Sequence, residues 1–228
     1  REVIADKGIW TAKKRYILNV WDNEGVRYNE ANLKIMGIEA VKSSTPAPCR
    51  EKIKQAMKII MNGSEKELNI FVQDFKDKFM SLPPEDIAYP RSVNGVKKYT
   101  ETSTTTLDLM SGESIDYGFF KKGAPIHVKG AILYNYLIAK NNLTGKFPFI
   151  QEGDKIRFLH MKEPNVYQSS SFSFITSMPK ELNLHGQIDM LTQFEKSFIE
   201  PLKVITEKIG WSVDSSYGEQ GTLDDFFN

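Results

Sequence analysis

The spacing of apolar positions changes period once, near residue 45. Before that point apolar and polar residues alternate. Tyr16-Ile17-Leu18-Asn19-Val20-Trp21 is rich in aromatic and β-branched residues and lies between polar turns, which predicts a strand. Asn23-Glu24-Gly25 is a turn signal, and Val26-Arg27-Tyr28 can return as a hairpin. Leu33 to Glu39 alternates again and predicts a third strand, so residues 1–42 read as strands. Ser43-Ser44-Thr45-Pro46 breaks the pattern, with Thr45 as the expected N-cap and Pro46 at the first helical position.

After the break the period becomes helical. Ile53, Ala56, Met57, Ile60 and Met61 form one stripe that Gly63 should end. Ser64 with Glu67 is a capping box, and Leu68, Phe71, Val72, Phe75 and Phe79 continue a second stripe up to Pro83-Pro84. The two helices should pack as a hairpin through these faces, with the Met and Phe stripes as core. Residues 100–117 are Thr/Ser-rich and read as an exposed excursion. Pro125 opens a helix to about Asn142, and Lys155 to Lys162 alternates as a strand. Ile188 to Trp211 is helical with an interruption near Pro201, and residues 212–228 lose all periodicity, as a flexible tail does. The expected class is α+β: short antiparallel strands, a mainly helical body with a small β excursion, and a tail.

Composition narrows the functional classes. With 40% hydrophobic and 26% charged residues, the 228-residue chain is a foldable globular sequence. No apolar run reaches eighteen residues, so a membrane partner is not expected, and no charged-then-apolar leader suggests secretion. The single cysteine, Cys49, forbids an internal disulfide and suits a reducing compartment. His127, His160 and His185 are scattered, so no zinc ligand set is visible. Phosphate loops of the Walker type, dinucleotide fingerprints and nucleophile elbows are absent from the sequence.

One cluster carries more chemistry than its surroundings. Lys13-Lys14-Arg15-Tyr16 sets three cations and an aromatic at a strand entrance, where they can clamp phosphates and rest against a sugar or base. A lone basic tetrapeptide is more often a solvated turn. This one is followed by Gly25-Val26-Arg27-Tyr28, Lys34-Ile35-Met36-Gly37-Ile38-Glu39 and Lys42-Ser43-Ser44-Thr45-Pro46. That ordered series resembles the family B DNA polymerases of T-even-type bacteriophages. Pro125-Ile126-His127-Val128-Lys129-Gly130 with Tyr134-Asn135, and Phe198-Ile199-Glu200-Pro201-Leu202, are similar to later segments of the same family.

The resemblance implies the end of a palm over residues 1–42, a thumb over 43–211 and a tail over 212–228. It implies contacts to primer–template DNA from Lys13, Lys14 and Tyr16, with Arg15 as a basic neighbour. Lys14 would reach the minor groove, whose acceptors are common to every correct pair. His127 and Lys129 would touch the backbone, with Lys97, Lys98 and Tyr99 as weaker candidates; His127 reads equally well as a structural histidine. The family's paired aspartates, which hold two divalent ions (magnesium), have no counterpart here. The chain is therefore expected to hold no cofactor, to lack polymerase activity alone, and to need an upstream chain or domain that carries those aspartates.

Gln220-Gly221-Thr222-Leu223-Asp224-Asp225-Phe226-Phe227 matches the peptide pattern that docks on sliding clamps. One helical turn would gather Leu223, Phe226 and Phe227 as an apolar plug, with Gln220 reaching a polar pocket. The alternative is a tail folded back on its own domain. The rival for the whole chain is a standalone DNA-binding or clamp-binding accessory protein derived from a thumb. The resemblance places the chain in the cytoplasm of an infected bacterium.

Charge then takes on meaning. The net charge of +1 hides a tail with four acidic and no basic residues, against a body with 30 positive and 25 negative charges. Arg1–Tyr16 alone holds five basic residues against two acidic ones.

Overall fold

The computed structural model describes residues 2–38, 41–100 and 120–213. The chain forms two compact units: residues up to Leu82 together with those from Phe194 on, and Pro83–Gln193. The fold is α+β, as expected.

The first unit opens with three antiparallel strands in meander order: β1 (Val3–Ala12), β2 (Arg15–Asn23) and β3 (Val26–Met36). The two short segments read as Val26–Tyr28 and Leu33–Glu39 are one strand, which ends at Met36. Glu24 and Gly25, with φ of 58° and 91°, form the two-residue turn between β2 and β3, the mirror-image geometry that matches strand twist. The strand pairing sets Ile17 opposite Ile9 and Ile35, while Tyr16 stands opposite Trp10 and Met36. Successive side chains alternate faces, so these are two opposed rows. Ile17 is fully buried. On that inner side Asn19 donates to Asn62 at 3.3 Å and Lys7 to the Met61 carbonyl at 2.8 Å, so the sheet rests on the end of the first helix.

That helix, α1 (Ala47–Asn62), buries Cys49, Ile53, Ala56, Met57, Ile60 and Met61, the expected stripe with Cys49 added. Its N-cap is Pro46 rather than Thr45, and no side chain caps it. Pro46 adopts φ −53° and ψ 139°, which starts the helix one residue later and leaves the Thr45 hydroxyl too far back for the first-turn amides. Gly63 ends α1 as expected, but in an extended conformation. A Cβ there would meet Glu67 Oε2 at 2.5 Å and the Ile59 carbonyl at 3.1 Å, so a larger residue would press on the Glu67 carboxylate.

The close Glu67 carboxylate belongs to the capping box of α2 (Glu65–Phe79), in which Ser64 N–H donates to Glu67 at 2.7 Å and Glu67 N–H to Ser64 Oγ at 3.3 Å. α2 buries Leu68, Val72, Phe75 and Phe79, while Phe71 is half-buried. Phe75 and Phe79 meet Phe194 and Phe198 in a four-ring core, with centroids 4.7 to 5.9 Å apart. Both pairs are four residues apart on their helices, so each projects from one face.

The helix that supplies Phe194 and Phe198 begins as α6 (Met190–Phe194), widens to a π-turn over Glu195–Ile199, and continues as α7 (Glu200–Thr206). The expected interruption near Pro201 is this widening. A proline ring clashes with the carbonyl four residues back, and the i→i+5 bond from Glu200 N–H to the Glu195 carbonyl opens the turn just before it.

The second unit starts with α3 (Pro84–Ile87), β4 (Tyr89–Ser92) and α4 (Val96–Tyr99), none of which the period announces. α5 (Ile126–Lys140) follows Pro125 as expected. β5 (Lys155–His160) is the predicted strand, and β6 (Ser171–Phe174) is new; the antiparallel order is β4-β5-β6. The four residues of β6 are all buried. Its serines look like loop residues in sequence, yet Ser171 Oγ donates to the Ile126 carbonyl at 2.6 Å and Ser173 Oγ to the His127 carbonyl at 2.9 Å. α5, buried on almost every side, is the axis of this unit.

Gly130 lets α5 approach β6. A Cβ there would sit 2.5 Å from Ser173 Oγ, 2.8 Å from its nitrogen and 2.9 Å from the Phe172 carbonyl carbon. Gly130→Val should therefore destabilise the chain by about 2 kcal/mol through overpacking against backbone, read as a lower urea midpoint with an unchanged slope. An unchanged midpoint would remove the close approach from the account.

Candidate nucleic-acid interface

The first unit gathers Lys13, Lys14, Arg15 and Tyr16 at one end of its sheet. Ala12 pairs with Arg15, so Lys13 and Lys14 are the two-residue turn between β1 and β2. Lys14 sits in the left-handed region at φ 63°. Lys13, Lys14 and Arg15 are exposed, and none of them joins an ion pair among the described residues. Three unneutralised cations on a short, doubly paired turn make a concentrated positive site for an anionic partner.

Beside the cations lies an aromatic surface that the sequence pattern does not single out. Tyr16 is half-buried, and its ring lies 6.3 Å from that of Trp10, which is 61% exposed. Met36 completes this outer row and is 44% exposed. The Trp10 indole lies over Gly8, where a Cβ would meet its ring at 2.5 Å. The signal in sequence was Gly8-Ile9-Trp10: a residue with no side chain two positions before an aromatic on the same face.

The second unit carries the remaining described candidates. His127 and Lys129 stand in the first turn of α5, whose start is tied to β6 by the two serine hydroxyls. The His127 ring packs 6.1 Å from Phe158, which stacks on Tyr89 at 5.1 Å. Arg91 lies over Tyr89 at 5.8 Å, and His160 edges both rings. Burial, and then the positive charge of Arg91, hold the His127 imidazole below its ordinary pKa of 6.5. At neutral pH it is an uncharged hydrogen-bonding group, not a cation. Arg91 went unread in the sequence because Tyr89-Pro90-Arg91-Ser92 is too short, with a proline inside, to announce a strand.

Lys97, Lys98 and Tyr99 form most of α4, which packs against α5. Glu152 holds the start of α4, accepting from Gly95 N–H at 2.6 Å and Lys97 N–H at 3.0 Å. Lys97 and Lys98 are exposed, and Lys98 Nζ lies 4.9 Å from the centre of the Tyr99 ring. Tyr134 and Asn135 act inside the unit: Tyr134 Oη donates to the Pro148 carbonyl at 3.2 Å, and Asn135 exchanges two hydrogen bonds with the Ile150 backbone. Burial pushes the Tyr134 hydroxyl up to about 12.

Gln220, Leu223, Phe226 and Phe227 lie outside the described residues, as do residues 101–119, which hold nearly all of the Thr/Ser-rich excursion. Among the described residues no three His, Cys, Asp or Glu side chains gather closely enough to hold a metal ion. Among the described residues no helix is long and apolar enough to cross a membrane.

Two known proteins match the chain almost end to end. It is 30% identical over 224 residues to the DNA-directed DNA polymerase of Enterobacteria phage T4, covering 96% of the chain and 22% of that polymerase. It is 33% identical over 226 residues to the DNA-directed DNA polymerase of Escherichia phage RB69, covering 97% and 22%. The chain is a relative of the phage DNA polymerases. The resemblance carried by Lys13-Lys14-Arg15-Tyr16 and the motifs after it is thereby borne out. The chain spans about 22% of the length of these relatives, and no family model matches it.

His127 supplies the test of the local electrostatics. Its folded pKa lies below 6.5, so folding favours the neutral ring. Its share of stability is present above 6.5 and is lost as pH falls through the lowered value. An NMR titration should find His127 titrating below 6.5, and Arg91→Gln should move it upward. A His127 that titrates at 6.5 with or without Arg91 would contradict this environment.

Proposed function

We propose that this chain is the end of the palm and the thumb of a phage-type DNA polymerase, which grips primer–template duplex next to the growing end. The observation that carries the reading is the Lys13–Arg15 turn, exposed and without ion pairs among the described residues, beside the Trp10–Tyr16 aromatic pair, in a chain similar to phage polymerases along nearly its whole length. Lysines and arginine reach phosphates and groove acceptors, while flat rings rest on sugars. His127 and Lys129 contribute backbone contacts, His127 as a neutral partner, with Lys97, Lys98 and Tyr99 as lesser ones. The register of β2 is what keeps Tyr16 on the outer face with Trp10.

Catalysis belongs to another portion of the enzyme in this reading. Two divalent ions, magnesium in kind, are held there by paired aspartates and supply charge neutralisation for phosphoryl transfer. The small three-stranded sheet, with β1 and β3 as its edge strands, supports an upstream partner that extends it. The acidic tail docks on a sliding clamp through Gln220, Leu223, Phe226 and Phe227.

Lys14→Ala should weaken duplex binding and flatten its salt dependence by about one unit; an unchanged affinity and slope would contradict the grip. Adding the upstream polymerase portion should restore primer extension to the chain. Persistent DNA binding with neither association nor extension would favour an accessory protein instead. Phe226→Ala with Phe227→Ala should abolish clamp binding and leave naked-duplex binding intact, whereas clamp binding that survives would remove the tail from the proposal.

A further inference from the structure

Gly37 follows the last residue of β3 and lies against the basic turn. It lies between Met36, which pairs with Tyr16, and Ile38, which is 9% exposed. Both flanks are anchored, so the Gly37 backbone has little room to withdraw. Its φ is +68°, a conformation that L side chains rarely adopt. A Cβ built there would stand 2.4 Å from the Lys14 carbonyl oxygen, 3.3 Å from the Lys14 carbonyl carbon and 3.1 Å from Arg15 Cγ. The nearest obstacle is a backbone oxygen, which cannot rotate aside as the end of a flexible side chain can.

The peptide that Gly37 abuts joins Lys14 to Arg15. Its orientation sets the directions in which both side chains leave the turn, and Lys14 is itself held at φ 63°. Any other residue at position 37 therefore meets the turn before it meets anything else. The geometry points to Gly37 as a positioning residue for the DNA contact: the absence of its side chain seats the Lys14–Arg15 peptide against the end of β3 and so aims the two cations. This inference rests on the proposed grip of duplex DNA by the Lys13–Arg15 turn.

The sheet contains its own control. Gly25, at the other end of β3, has φ +91° and nothing within 4 Å of a Cβ. Asparagine tolerates positive φ better than most residues, so Gly37→Asn adds the Cβ with limited backbone strain, and Gly25→Asn adds it in open space. Binding of a fluorescent primer–template duplex to the full chain is measured over a range of salt, with melting followed by circular dichroism.

Gly37→Asn should weaken binding by about tenfold, the factor of one lost charge-assisted hydrogen bond, and flatten the salt slope by about one unit. Gly25→Asn should bind as the unmodified chain does. Gly37→Asn that binds with unchanged affinity and slope would overturn the inference, as would equal losses in both variants. If Gly37→Asn fails to fold, the smaller Gly37→Ala takes its place. Failure of both to fold would make Gly37 a requirement of the sheet itself and overturn the positioning role. Lys14→Ala separates the two levels: if it leaves binding unchanged, the grip itself fails, whereas a weakened Lys14→Ala beside an unaffected Gly37→Asn sinks only the role of Gly37.

Discussion

The pairing of β2 on both of its edges is the constraint from which the first unit follows. With β1 on one side and β3 on the other, the backbone of Tyr16 and Ile17 is committed to two neighbours at once. Period-2 alternation then leaves no choice: Ile17 points inward with Ile9 and Ile35, and Tyr16 outward with Trp10 and Met36. A slip of one residue would place the aromatic row in the core and the isoleucines in water. The same pairing brings the β1–β2 turn to the end of the sheet, so its three cations project from a base hydrogen-bonded on both sides.

The second unit reaches a comparable rigidity by another route. α5 is enclosed almost entirely, and hydroxyls of Ser171 and Ser173 hold its first carbonyls against β6. A helix that is anchored at its start gives His127 and Lys129 fixed points of departure. Burial and Arg91 then decide what His127 can be, a neutral hydrogen-bonding partner. Long cations on rigid bases suit an extended anionic ligand: the base supplies geometry, the flexible stem tolerates small variations along a phosphate backbone.

Much of this is legible in the sequence. The helical stripes of α1 and α2, the capping box at Ser64 and an interruption near Pro201 follow from local rules that depend on a few neighbouring residues. What escaped depends on partners distant in sequence. β6 reads as a polar loop because its serines bond to a helix some 45 residues away. Gly37 reads as one position of the third strand until its distance to Lys14 is known. Trp10 reads as an isolated aromatic until the register sets it opposite Tyr16. Thr45 illustrates the opposite failure, a local rule overridden by the proline next to it. Of the candidate site, the residues that bear charge were visible and those that aim them were not.

The central claim is that the β1–β2 turn and the start of α5 face duplex DNA, and amide hydrogen exchange of the full chain with and without a primer–template duplex tests it most directly. The account predicts slowed exchange over residues 12–16 and over the first turn of α5, with α1 and the core of α2 unchanged. Unaltered exchange at the turn under conditions where the duplex is bound, with protection confined to other segments, would contradict it.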